Sequence, residues 1–182
     1  IQAAEGDASQ SVGDLISTQT FSNFELEIDF KITKGANSGI KYFVDADLLQ
    51  EKETAIGLEF QILDDKNHPD AKEGVKDNRT VGSLYDLIRA DNLSEPSNPN
   101  KRVSWDSVWN RARIVVKGSQ VEHWLNQIKV VEYDRHSQMF QALVEKSKYA
   151  PYPKFGQQAA GHILLQDHGD LVQFRNIKIR EW

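Results

Sequence analysis

No cysteine occurs among these 182 residues, so disulfides and thiolate metal sites are excluded from the outset. The absence does not fix a compartment, because many exported chains also lack the residue. Long hydrophobic runs are missing too. Nothing approaches the ~20 apolar residues that a membrane-spanning helix needs, and no signal-peptide core stands at the N-terminus. The first residue is Ile1 and not Met, so the chain is expected to be a processed or trimmed product, with any targeting segment outside it. Nor is there a basic stripe: 22 Lys and Arg are interspersed with 27 Asp and Glu, for a net charge of −5. Nucleic acid is therefore not an expected partner. No internal repeat of roughly 20 to 50 residues is visible, which argues against a propeller or solenoid.

What the chain has is alternation. Phe24, Leu26, Ile28 and Phe30 alternate with Glu25, Glu27, Asp29 and Lys31, the period of a half-buried strand. Residues 34–39 read as a turn, and Ile40, Tyr42 and Val44 restart the alternation behind it, so the two strands are expected to pair as a hairpin. A shorter strand is expected near 14–17. From Asn110 the pattern returns as a β-meander: Ala112, Ile114 and Val116, a turn at 117–120, then the runs 121–126 and 129–133. Residues 137–146 are the one plausible helix, with Ser137 as cap and Met139/Leu143 and Phe140/Val144 at i,i+4. Two last strands are expected at 161–166 and 171–180. The expectation is a single all-β domain over residues 1–182, a two-sheet antiparallel β-sandwich with one short helix, with a barrel as the alternative.

The stretch that draws attention is 57–68. Leu58, Phe60 and Ile62 turn to one side of a strand while Glu59 and Gln61 turn to the other, and Asp64, Asp65 and His68 follow at its end. One face wants a core; the other offers a carboxylate and an amide to a polar ligand. The plain alternative is the solvated side of a sheet. After it comes an irregular stretch, 64–108, rich in Asn, Asp, Pro and Ser. Its length suits a binding or lid element, and Leu84, Tyr85, Leu87 and Ile88 give it something to bury.

Phe21-Ser22-Asn23-Phe24-Glu25-Leu26, Asn37-Ser38-Gly39-Ile40, Gly57-Leu58-Glu59-Phe60-Gln61-Ile62-Leu63-Asp64, Gly82-Ser83-Leu84-Tyr85-Asp86-Leu87, Trp109-Asn110, Val121-Glu122-His123-Trp124-Leu125-Asn126, Gln166-Asp167-His168-Gly169 and Phe174-Arg175-Asn176-Ile177-Lys178-Ile179 occur in this order. In that order and spacing the chain resembles the 3-keto-disaccharide hydrolase domain family, from about Leu15 to the C-terminus. The resemblance implies a concanavalin A-like jelly roll, a periplasmic, cell-surface or secreted setting, and a small carbohydrate substrate. The chain departs from the family at its start, where the usual Trp- and Gly-containing opening strand is trimmed or missing.

A 3-keto-glycoside carries an acidic proton on C2, so a base can remove it and the C1 substituent can leave, with water added later. On chemical grounds Glu59 is the candidate base and His168, in its Asp-His-Gly turn, the second acid/base group. Candidate substrate-binding residues are Gln61, Asp64, His68, Tyr85, Trp109, Arg113, His123, Asn126, Gln166 and Asp167. Several have plainer readings: Asp167 and Asn126 as turn formers, Arg113 as a solvated cation, Tyr85 and Trp109 as core aromatics. His123 and Trp124 alternate, so only one of them can face a cleft. No cofactor is expected; a divalent cation on Glu59, His68 and His168, with Asp64, is the alternative, although the spacing matches no metal motif. An ordinary glycosidase and a carbohydrate-binding module without turnover are the competing functions.

Overall fold

In the computed structural model, the described residues are 13–48, 55–95, 97–98, 101, 103–105, 107–152 and 154–182. Among the described residues, nine strands form two antiparallel sheets: β1 (Leu15–Phe21), β2 (Phe24–Ile32), β3 (Asn37–Val44), β4 (Leu58–Leu63), β5 (Asn110–Lys117), β6 (Gln120–Leu125), β7 (Ile128–Asp134), β8 (Gly161–Leu165) and β9 (Val172–Glu181). One sheet runs β1-β8-β3-β4 and the other β7-β6-β5-β2-β9. Among the helices are α1 (Asp70–Glu73) and α2 (Gln138–Glu145). The sandwich and the meander β5-β6-β7 agree with the sequence expectation. So does α2, whose cap Ser137 accepts a hydrogen bond from Phe140 N–H at 3.2 Å.

The expected hairpin of β2 with β3 does not form, because the two strands lie in opposite sheets. Their apolar rows meet across the core, with Phe24 6.4 Å from Tyr42 and 6.2 Å from Phe43, ring centre to ring centre. A hairpin would have set those rows side by side on one sheet and left each facing another partner. β8 and β9 part in the same way, one to each sheet.

Most of the 64–108 stretch packs onto the fold. Gly82 N–H donates to Gln61 O at 2.9 Å, Gln61 N–H to Ser83 O at 3.1 Å, and Tyr85 N–H to Glu59 O at 3.0 Å. These residues add a short rung to the free edge of β4 and cover it.

The core holds one polar chain. His123 is fully buried, with Nδ1 3.0 Å from Gly82 O and Nε2 2.7 Å from Tyr42 Oη, which lies 2.8 Å from Tyr133 Oη. A carbonyl only accepts, so Nδ1 carries the proton, Nε2 accepts from Tyr42, and Tyr42 accepts from Tyr133. His123 is therefore no substrate ligand. Val121 and Leu125 share its side of β6 and carry it inward, while Trp124 faces out. Through Gly82 it ties the covering segment to the core.

Burial lowers the His123 pKa from 6.5 to about 4, against the smaller opposing effect of its bond to Gly82. Between those values the unfolded chain binds a proton that the folded chain refuses, so stability is lost as pH falls through this window. Denaturant titrations are expected to show a loss of up to about 3 kcal/mol from this residue between pH 7 and pH 4. His123→Asn should flatten that slope while lowering stability at pH 7. An unchanged slope would show that another group governs acid unfolding.

Candidate active site on the four-stranded sheet

The strands β4, β3 and β8 bring a set of polar side chains to the outer face of their sheet. Glu59 pairs with Lys41, and Gln61 with Gly39; Gln166 continues the second row, since its N–H donates to Gly39 O at 2.9 Å. This is not a solvated face. Glu59 is 5% exposed, Lys41 8% and Gln61 1%.

Gly39 makes the arrangement possible. A methyl group on its Cα would collide with Glu59 Oε1, so the missing side chain is the space the carboxyl occupies. Lys41 Nζ stands 3.9 Å from Glu59 Oε2 and donates to Ala55 O at 3.0 Å. Burial pushes the Glu59 pKa up, outweighing the Lys41 and Lys148 cations, which act to lower it.

One wall is an ionic lattice. Arg79 donates to Asp70 at 2.8 Å and to Asp86 at 2.7 Å, and Tyr85 Oη donates to the other Asp70 oxygen at 2.9 Å. Lys148 lies over the Tyr85 ring at 4.2 Å and the Tyr149 ring at 5.3 Å. It keeps solvent on one side, yet burial of its ammonium against these rings lowers its pKa against the attraction of Glu59 and Asp86. His68 accepts the Asp70 N–H on Nδ1 at 3.2 Å.

His168 follows β8 in a turn closed by Gly169 at φ +82°. Its ring is exposed but crowded on one side, and this burial, followed by the Lys41 cation, lowers its pKa. The charges of Lys41 and Asp14 act on both His168 and Glu59, and His68 acts on His168, so these groups lie within electrostatic reach of one another.

Other candidates are elsewhere or already engaged. Asp64 accepts from Gly35 N–H at 2.8 Å, Asn67 Nδ2 at 2.6 Å and Lys66 N–H at 3.1 Å. Its burial alone would raise the pKa, but these bonds outweigh it and hold the carboxyl below its usual value. It is a loop pin. Asp167 accepts from Gly169 N–H at 2.8 Å and Gly13 N–H at 3.1 Å, which fits the turn reading. Arg113 lies on β5 of the five-stranded sheet, with Trp109 just before β5 and Asn126 in the turn after β6, on the opposite side of the sandwich. Trp109 lies under the Arg175 guanidinium at 3.9 Å, Arg113 pairs with Glu25, and Asn126 makes a turn at φ +48° and accepts Arg111 N–H at 2.8 Å. No three His, Asp or Glu among the described residues form a group able to hold a metal ion.

The sequence reading passed over Lys41, Gly39, Arg79, Asp70 and Lys148. Lys41 was within reach, because the alternation of Ile40 and Tyr42 puts it on the polar side of β3. Gly39 lies on β3, but its place beside Glu59 depends on the pairing with β4, and Asp70, Arg79 and Lys148 come from outside the sheet, so their approach to β4 is not a local property.

The family described as 3-keto-alpha-glucoside-1,2-lyase-like domain matches residues 2–180. The chain belongs to this family. A relative from Bacteroides thetaiotaomicron named 3-keto-disaccharide hydrolase is 36% identical over 98% of this chain and 64% of its own length. The chain thus spans somewhat less than two thirds of that protein. A candidate glycosyl hydrolase from Parabacteroides distasonis superposes with a TM-score of 0.81 at 28% identity, covering 94% of this chain and 78% of its own. A second from the same organism gives 0.67 at 29%, covering 93% and 83%.

The packing of Glu59 over Gly39 gives a direct test. Gly39→Ala should cost about 1–3 kcal/mol in chemical denaturation through overpacking. The cost should vanish when Glu59→Ala is combined with it, a coupling read from the double-mutant cycle. Strict additivity would mean that the carboxyl does not fill the Gly39 gap.

Proposed function

We propose that the outer face of the four-stranded sheet binds a 3-keto-glycoside and cleaves its glycosidic bond, with Glu59 as the base that removes the C2 proton. The observation that carries this reading is a shielded carboxyl with a raised pKa, set on a sheet face beside a lysine. A carboxylate in that setting is a stronger base at neutral pH than a solvated one. The family description and the relative's name support the choice of substrate class.

In the proposed sequence the C2–H pair stays on carbon and delocalises onto the C3 oxygen as the proton passes to Glu59. The cations of Lys41 and Lys148 offset the charge that builds up there. The C1–O bond then breaks, and the departing oxygen takes a proton from Glu59 or a neighbouring acid. Net hydrolysis follows when water adds to the unsaturated product. His168, whose lowered pKa keeps it neutral at pH 7, serves as the second proton acceptor or relay. A conventional glycosidase needs two carboxyls at a set separation across the bond. On this face Asp70 is already held by Arg79 and Tyr85, so that mechanism fits less well.

The test is incubation with a 3-keto-glycoside and with its unoxidised parent. Turnover of the keto sugar alone is expected. Turnover of the parent would indicate an ordinary glycosidase, and binding without turnover a carbohydrate-binding module. Glu59→Gln should lower turnover by ~10² or more with the fold intact, and His168→Ala should also slow it. The base works only when ionised, so the acidic limb of the kcat/KM profile should lie above the ordinary carboxylate range and disappear in Glu59→Gln. The same raised pKa means that the folded chain holds a proton the unfolded chain releases, so stability falls as pH rises through it. Glu59→Gln should therefore be more stable than the wild type at pH 7, measured by denaturation.

A further inference from the structure

Gln61 and Gln166 stand on either side of Gly39 in one row across the sheet. Gln61 gives its amide nitrogen to Asn37 Oδ1 at 3.4 Å, which turns the amide oxygen away from Asn37. That Oε1 is buried and has no hydrogen-bond partner among the described residues, and the same holds for Gln166 Oε1. Buried acceptors are normally satisfied, so two orphans flanking the Glu59 carboxyl call for donors from outside the described residues, a role that sugar hydroxyls can fill.

We infer that Gln61 and Gln166 are paired hydroxyl acceptors that select a pyranose ring with hydroxyl groups on both sides of the position held over Glu59. Neighbouring strands lie about 4.8 Å apart, so the two backbones are separated by roughly 10 Å. Neither amide oxygen can be served by a carbonyl, which only accepts. A C3 keto oxygen must look to a donor instead, and Lys41 in the adjacent row is a donor on this face. The hydroxyls at C2 and C4 flank the ketone and are the donors that suit the two amides. This assignment of ring positions rests on the function proposed above; the requirement for two hydroxyl donors does not.

The pair is tested by calorimetric binding of an unoxidised methyl pyranoside and its 2-deoxy and 4-deoxy analogues to the wild type, Gln61→Leu and Gln166→Leu, with folding checked by circular dichroism. Each missing hydroxyl should weaken wild-type binding roughly ten- to hundred-fold, because it leaves one buried acceptor bare. Each Leu variant should bind the parent sugar more weakly and cease to distinguish one of the two deoxy sugars. Variants that keep the wild-type discrimination, or a wild type indifferent to both deoxy sugars or unable to bind the parent, would overturn the inference. Gln166, the less buried of the two, carries the test if Gln61→Leu does not fold. The sugars are unreactive, so discrimination without turnover of keto sugars would retain the acceptor pair and reject the reaction. Turnover without discrimination would do the reverse.

Discussion

The carboxyl of Glu59, shut in beside a glycine with a single lysine 3.9 Å away, is the constraint around which the rest of this domain makes sense. A carboxylate there gives up most of its hydration, and one cation at that distance does not restore it. The cost is met elsewhere, by a sandwich whose core is closed by Phe24, Tyr42, Phe43, Phe60 and Phe140, all essentially inaccessible. Rigidity follows from the same packing, and it keeps Glu59, Gln61 and Gln166 at fixed separations from one another.

The covering segment is held from two sides. Its backbone extends β4 through Gly82, Ser83 and Tyr85, and His123 reaches through the core to grip Gly82 O. Farther out, Arg79 braces Asp70 and Asp86, so the wall over Glu59 is made of paired charges. The opposite sheet uses similar residues to a different end: Glu25 and Asp29 pair with Arg113, Arg180, Arg111 and Arg175 in a lattice that faces solvent.

Much of this was legible in the residues. Strand alternation, the meander, the Ser137 cap and the polar face of 58–63 depend on neighbours within a few positions, and the structure agrees with each. The side on which His123 lies was legible too, since Val121 and Leu125 share its parity. Trp109, Arg113 and Asn126 were grouped with Glu59 because their residue types suit a sugar site. Residue type does not reveal which sheet a strand joins, and they lie on the sheet opposite Glu59.

By itself the sequence determined the strands, their inner and outer faces and the family, because period-two burial and ordered motifs are written along the chain. Only the tertiary structure decided that β2 and β3 face each other across the core, that Gly39 leaves room for the carboxyl, and that loop residues from 68 to 86 shelter it. Those outcomes depend on which backbone lies beside which over separations of tens of residues, and no local periodicity encodes that choice.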